Sequence, residues 1–268
     1  MVLKREKDVT RMRIVFISYM TALGIAVGSF LNVVIYRVPL KLSIIRPRSF
    51  CPNCKATLTT MDNIPIVSYL ALRAKCRHCQ AAISWQYPCV EVVGGILFAS
   101  GTWHFGFTWQ LPVFLVVFAG LLALSVTDFL SLLVPKRIVY AVLLLELPLM
   151  IVASTANHEW SKFVTALISA AVWFLLFFTL NALSPRLLGF GDVRLSPVLG
   201  LALGWLGIGY VFWGFFLANL VGAVISLGLI ATKRMTRNQR IPYAVFLSLG
   251  LFLSVLTGHL LAGHYRGF

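Results

Sequence analysis

Apolar residues in this chain fall into long runs separated by short polar stretches. A helix that crosses a bilayer needs about 20 mostly apolar residues. The runs that approach this length predict spans at 14–36, 90–107, 111–126, 138–155, 163–183, 195–208, 210–231 and 241–261. That makes about eight, of which the sixth is short and the third only just long enough. The first run exceeds the apolar core of a secretory signal, and Tyr36-Arg37 follows it where a small-residue cleavage site would stand, so it reads as a retained helix.

Only one stretch between runs is long and polar, residues 37–88. The pattern predicts an all-α, polytopic transmembrane bundle with a small cytosolic insert between spans 1 and 2. Its expected divisions are 1–36 (tail and first span), 37–88 (insert) and 89–268 (membrane domain).

Composition supports a membrane protein: 59% of the 268 residues are apolar, and the mean hydropathy is +0.89. The net charge of +15 raises the question of nucleic acid. Its placement answers otherwise. With the N-terminus outside, the segments 37–88, 128–137, 184–194 and 233–240 face the cytoplasm and hold 16 of the 23 Lys and Arg. This is the positive-inside bias, and the partner it implies is membrane lipid, not nucleic acid. The tail (Lys4, Arg5, Lys7, Arg11, Arg13) is the discordant piece.

Four of the five cysteines lie in the insert, as Cys51-Pro-Asn-Cys54 and Cys76-Arg-His-Cys79. Two C-x-x-C pairs about twenty residues apart form a zinc signature. Each pair turns tightly and aims two thiolates at one point, and two turns complete a closed tetrahedron, so the zinc would be structural. The insert has few large apolar residues, and metal binding would help it fold. The alternative is two disulfides, which a reducing cytosol disfavours. A redox pair fits less well, because no alternation of strands and helices surrounds it. Lys55 and Gln80 stand where zinc knuckles often carry Gly. Cys89, at the mouth of the second span, reads as a small packing residue.

Acids are scarce: four Asp and four Glu. Asp8 lies in the tail, and Asp62 in Asp62-Asn63-Ile64-Pro65 reads as a turn or capping residue. Glu91 enters the second span from the cytosolic side. Glu146 is mid-span beside Pro148, with no role beyond a buried polar contact. Asp128 and Asp192 remain. Each ends an apolar segment on the predicted cytoplasmic side, and a carboxylate at a bilayer is rarely kept without a function. Two adjacent carboxylates share one proton, as an aspartic protease requires. Gly189 and Gly191 beside Asp192 are expected to let the backbone approach a substrate and adopt angles closed to other residues, with Pro135 and Pro185 limiting helix continuity nearby. The competing reading of each Asp alone is a helix cap or a partner for Arg137 or Arg194. The histidines (His78, His104, His158, His259, His264) are scattered, and none pairs with a Ser or Cys in a recognisable motif.

Taken in order, several motifs make the chain resemble the bacterial prepilin peptidases, the type IV leader peptidases with N-methyltransferase activity. They are Gly28-Ser29-Phe30-Leu31-Asn32-Val33-Val34-Ile35-Tyr36-Arg37, Pro47-Arg48-Ser49 before the first cysteine pair, Asp62-Asn63-Ile64-Pro65, the second pair, Ile83-Ser84-Trp85-Gln86-Tyr87-Pro88 with Glu91, Asp128 with Val134-Pro135, Gly189-Phe190-Gly191-Asp192-Val193-Arg194, and Ile241-Pro242-Tyr243. The resemblance covers nearly the whole chain. It implies cleavage of the basic leader of prepilins or pseudopilins at the cytoplasmic face of the inner membrane, then methylation of the new N-terminus by S-adenosylmethionine. It maps the catalytic aspartates onto Asp128 and Asp192, and the metal cysteines onto Cys51, Cys54, Cys76 and Cys79. Arg194 replaces the family's usual Lys, which keeps the charge but not the geometry. Tyr243-Ala244-Val245 replaces the usual Phe-Gly-Pro. No motif places the methyl-donor site, and the oligomeric state is open. The readings from other classes are a presenilin-like protease that cuts inside a substrate helix, and a proton-coupled transporter.

Overall fold

The computed structural model describes residues 2–184, 188–236 and 241–262, without the side chains of 2–8 and 261–262. Pro185, His264, the last four residues of the 233–240 loop, and the Lys4, Arg5, Lys7 and Asp8 side chains lie outside the described set. The elements are α1 (Val2–Arg37), a 3-10 turn (Met61–Asn63), α2 (Val67–Ala71), α3 (Gln86–Phe105), α4 (Leu111–Ser131), α5 (Lys136–Asn157), α6 (Trp160–Leu183), α7 (Phe190–Leu206), α8 (Ile208–Ala231), α9 (Tyr243–Thr257) and α10 (His259–Ala262). All but α2, α10 and the short turn coincide with the eight predicted runs. No strand forms among the described residues, only two isolated antiparallel bridges in the insert.

Helices are the expected answer to a bilayer, because they satisfy every backbone polar group within one segment. Five are long and apolar enough to cross a membrane: Val9–Arg37 within α1, then α4, α5, α6 and α8; α9 is a shorter apolar helix. Two boundaries move in a way that matters. α4 runs three residues past Asp128, and α7 starts two residues before Asp192, so both carboxylates sit on helices and not in loops.

The chain forms two compact units, Met1–Leu111 and Pro112–Phe268. In the first, α1 packs against α3 through glycines. A Cβ on Gly94 would lie 2.6 Å from the Gly24 carbonyl oxygen, and one on Gly28 would lie 2.8 Å from the Glu91 Cα. Small residues let membrane helices approach this closely, where dispersion and polar contacts must replace the hydrophobic effect. At the far end, the Arg13 guanidinium lies 4.4 Å from the Trp103 ring centroid and donates to the Trp103 carbonyl at 3.0 Å, which gives one charge of the discordant tail a local partner.

The second unit repeats the device. A Cβ on Gly200 of α7 would meet the Ala170 backbone of α6 at 2.6 Å, and Gly250 of α9 backs onto Gly214 and Ala218 of α8. α8, by contrast, presents large apolar side chains outward, Phe212 and Val224 among them. Gly94→Val is expected to destabilise the protein by about 1–3 kcal/mol or more, as overpacking of a close contact does. The measurement is the thermal unfolding midpoint in detergent, with Gly228→Val as the control, since no atom lies within 4 Å of a Cβ there. Equal midpoints for the two variants would contradict the glycine contact.

Candidate active site and metal centre

Asp128 lies in the last turn of α4 and Asp192 in the first turn of α7. Both residues are nearly buried, at 5% and 7% exposure. The two lie near enough for the charge of Asp128 to bear on Asp192, and Asp192 in turn lies near Tyr243. Two residues 64 positions apart in sequence therefore converge within one unit.

Each carboxylate is also held by backbone. The Ala244 N–H at the start of α9 donates to Asp128 Oδ2 at 3.0 Å. Three orphan N–H groups and the positive end of the helix dipole make a helix N-terminus a natural seat for an anion. Asp192 stands three residues after Gly189, the N-cap of α7. Its backbone N–H donates to the Gly189 carbonyl at 3.0 Å, while its side chain accepts from the Gly189 N–H. This is one half of a capping box, since a glycine N-cap has no side chain to return the bond. The capping reading of each Asp thus holds alongside the pairing. The arginine reading does not: among the described residues neither Asp takes part in an ion pair, and the Arg194 guanidinium lies 4.6 Å from the Phe190 ring centroid instead.

The glycines serve in a way the sequence did not suggest. Gly189 has φ −70 and ψ 144, open to any residue. Its value is space, since a Cβ there would stand 3.3 Å from Asp192 Oδ2. Gly191 is likewise needed for contact: a Cβ would lie 2.8 Å from the Val134 Cβ. Both explanations replace the expected freedom of φ. Tyr243 went unassigned a role in the sequence; it faces the charge of Asp192, and its hydroxyl donates to Asn219 Oδ1 at 3.3 Å. Glu146 is fully buried, with both carboxylate oxygens unpartnered among the described residues.

The first unit holds the cysteine cluster. The Sγ atoms of Cys51, Cys54, Cys76 and Cys79 all lie within 4.8 Å of one another, and no disulfide joins them. Zinc–sulfur bonds of about 2.3 Å at tetrahedral angles put sulfurs roughly 3.8 Å apart, and Cys51 and Cys79 stand 3.9 Å apart. The two knuckles are near copies. In the first, the Cys51 N–H donates to the Ala56 carbonyl and the Lys55 N–H to the Cys51 carbonyl; in the second, Cys76, Ala81 and Gln80 do the same. Lys55 and Gln80 adopt φ 59 and 58, the left-handed turn for which knuckles favour Gly, and non-glycine residues pay roughly 1–2 kcal/mol for it.

The donor set suits a cation. N–H groups of Cys54 and Asn53 hold the Cys51 thiol below its ordinary value. The Ala81 N–H, helped by the Asn53 amide, brings Cys79 down to about 6. The Ala56 N–H favours the Cys54 thiolate too, but desolvation and the neighbouring thiols outweigh it and push that group up to about 11. Thiolates so crowded repel until a metal ion neutralises them. The cluster can therefore hold a metal ion. Asp62 braces the second knuckle: it accepts from the Thr59 hydroxyl at 2.8 Å and from Arg77 Nε and Nη2 at 2.9 and 2.8 Å, which holds its carboxyl below the usual range. This adds a cross-link to the expected turn duty. Cys89 is exposed, so it does not pack within the chain as its apolar context suggested.

Five apolar helices of spanning length, with two buried aspartates at the ends of α4 and α7, fit the class of membrane aspartic peptidases. The chain belongs to the type IV leader peptidase family. That family matches residues 115–232, and the bacterial peptidase A24 N-terminal domain matches residues 22–105. Among its relatives, the prepilin leader peptidase/N-methyltransferase of Bacillus subtilis (strain 168) is 33% identical over 93% of this chain and 97% of its own. The protein of that name from Stutzerimonas stutzeri is 31% identical over 94% of each chain. Its namesake from Myxococcus xanthus (strain DK1622) is 40% identical over 82% of this chain and 65% of its own. No solved structure matches the chain.

Proposed function

We propose that this protein is an aspartic endopeptidase of the bacterial inner membrane that removes the basic leader of type IV prepilins or pseudopilins at the cytoplasmic face. It then methylates the new N-terminus with S-adenosylmethionine. The observation that carries the peptidase reading is the convergence of Asp128 and Asp192, two buried carboxylates at the ends of α4 and α7 near enough for the charge of Asp128 to bear on Asp192. The relatives' shared name and the coverage of both chains support the two-step chemistry.

One aspartate of the pair is ionised and takes a proton from water, which attacks the scissile carbonyl. The other is protonated and donates to the carbonyl oxygen. The tetrahedral intermediate then collapses, the C–N bond breaks, and the leaving amine takes up a proton. Ala244 and Gly189 fix the two side chains, so little reorganisation remains for the reaction. The Ala244 N–H, at 3.0 Å from Asp128 Oδ2, keeps that side chain in place for either role. Gly191 lets the first turn of α7 lie against Val134, and Arg194 stacks on Phe190 beside the site. Cys51, Cys54, Cys76 and Cys79 would hold a structural zinc ion, whose contribution is to fold the insert.

The products are the test. Incubating the purified enzyme in liposomes with a synthetic leader–helix peptide and S-adenosylmethionine should give one cut at the leader–helix junction, before the apolar segment. The mature fragment should be heavier by one methyl group. A cut inside the apolar segment would favour the presenilin-like alternative, and an intact peptide would exclude both.

A further inference from the structure

The insert is polar and joins two membrane helices, yet part of it stands at membrane depth. Glu91 of α3 packs against Gly28 of α1, where a Cβ would lie 2.8 Å from the Glu91 Cα. Gly28 is nine residues before Arg37, the end of an apolar helix long enough to cross a membrane. At about 1.5 Å per residue, that is roughly 13 Å short of the helix end. Glu91 Oε2 in turn accepts from the Ile66 N–H at 2.7 Å. Even a glutamate side chain stretched toward the insert ends below the level of Arg37. Ile66 and the start of α2 therefore lie alongside α1 and α3, not above them.

That part of the insert is apolar on the outside. Val67 and Leu70, three residues apart, share one face of α2, and Leu70 is 68% exposed. Ile64 is exposed just before them. Tyr69 turns inward, and its ring centroid lies 5.6 Å from that of Trp85. Trp85, 74% exposed, heads an outward stripe of α3 that continues through Cys89, Val92 and Ile96 at helical spacing. Ile66 sits at φ 61, a strained value for a β-branched residue, and the bond from Glu91 holds it there. The way α2 leans on α3 is thus fixed from both ends, by Glu91 before it and by the ring contact at Tyr69.

A contiguous apolar surface of this kind marks a contact with membrane or protein. Two observations favour membrane. The stripe that Trp85 heads is the outward face of a membrane helix, and the α2 face stands beside its first turns. Arg73 and Lys75, both exposed and in no ion pair among the described residues, follow α2 directly. Cations bordering an apolar patch complement anionic lipid headgroups, whereas they would repel a basic peptide. We propose that α2 and Trp85 seat the insert in the headgroup layer of the adjacent leaflet. Val67 and Leu70 enter the acyl boundary, as the apolar face of an interfacial helix does. Trp85 takes the interfacial position that membrane proteins give to their aromatic belts, and Arg73 and Lys75 meet lipid phosphates. Lipid then holds the insert in place together with α1 and α3. The inference needs neither the peptidase nor the methyltransferase reading.

The experiment is photocrosslinking of the full-length protein in vesicles of phosphatidylethanolamine and phosphatidylglycerol. A benzophenone amino acid is placed at position 67, 70 or 78, and the adducts are read by mass spectrometry, with metal content measured on the same samples. His78 is exposed in the second knuckle, outside α2, and serves as the control. Interfacial side chains bury about 5–10 Å into the headgroup–acyl boundary, so phospholipid adducts at 67 and 70 should exceed those at 78 by roughly tenfold. Leu70→Asp, at a side chain the fold barely uses, should lower the lipid yield at 67 several-fold while the metal content stays unchanged. Lipid yields at 67 and 70 no higher than at 78 would overturn the seat. So would adducts at 67 and 70 to a second copy of the chain, or to an added leader–helix peptide, in place of lipid.

Discussion

Asn at either Asp128 or Asp192 is expected to lower leader cleavage by at least 10²–10⁴-fold, the usual share of positioned proton transfer. The substitution isolates the chemistry, because the amide keeps the shape and the backbone bonds. An Asn at position 128 still offers an oxygen to the Ala244 N–H, and one at 192 still accepts from Gly189. It can no longer ionise or deliver a proton. Membrane insertion and the thermal midpoint should therefore match wild type while the peptide product disappears. Alanine is the weaker test: at 128 it would strip the Ala244 N–H of its acceptor, costing about 1–3 kcal/mol of stability and confusing the two effects. The readout is product by mass spectrometry at matched enzyme concentration in liposomes. Cleavage at the wild-type rate by either variant would dissolve the pair as a catalytic unit.

Ser at Cys51 or Cys76, the two buried cysteines of the cluster, is expected to abolish metal binding and unfold the insert. Little else holds that segment. Its only regular pieces are the five residues of α2 and a three-residue 3-10 turn. Structural zinc supplies on the order of 10–16 kcal/mol to small metal-dependent folds at neutral pH. One missing thiolate leaves an open tetrahedron and crowded charge. Metal analysis should fall from one equivalent to a small fraction, and limited proteolysis should open new sites between residues 38 and 85. A chelator acting on wild type should reproduce both changes. Metal-free protein with a protected insert would contradict the metal centre.

Much of this was legible before the coordinates. The eight runs became eight helices because a bilayer leaves a chain few other ways to satisfy its backbone. Asp128 and Asp192 stood out for the same reason that they are costly: a carboxylate at a membrane has few neutral explanations. The cysteine spacing was legible because a tetrahedral centre dictates two tight turns. Other features leave no trace in a one-dimensional pattern. The N–H of Ala244 that seats Asp128 belongs to a residue whose side chain is silent. The space at Gly189 and Gly191 depends on Asp192 and on Val134, which only folding brings together. Lys55 and Gln80 hide their left-handed turns, since neither favours them. Cys89 looked like a packing residue because its neighbours are apolar, and in a membrane protein that context does not tell inside from outside.

The most direct measurement is an experimental structure of the Asp192→Asn enzyme in a lipid disc with an uncleaved leader–helix peptide bound. The account predicts the scissile carbonyl between the side chains at 128 and 192, each within reach of it directly or through one water. A peptide whose leader junction rests against any other residues, with 128 and 192 both remote from it, would contradict the account.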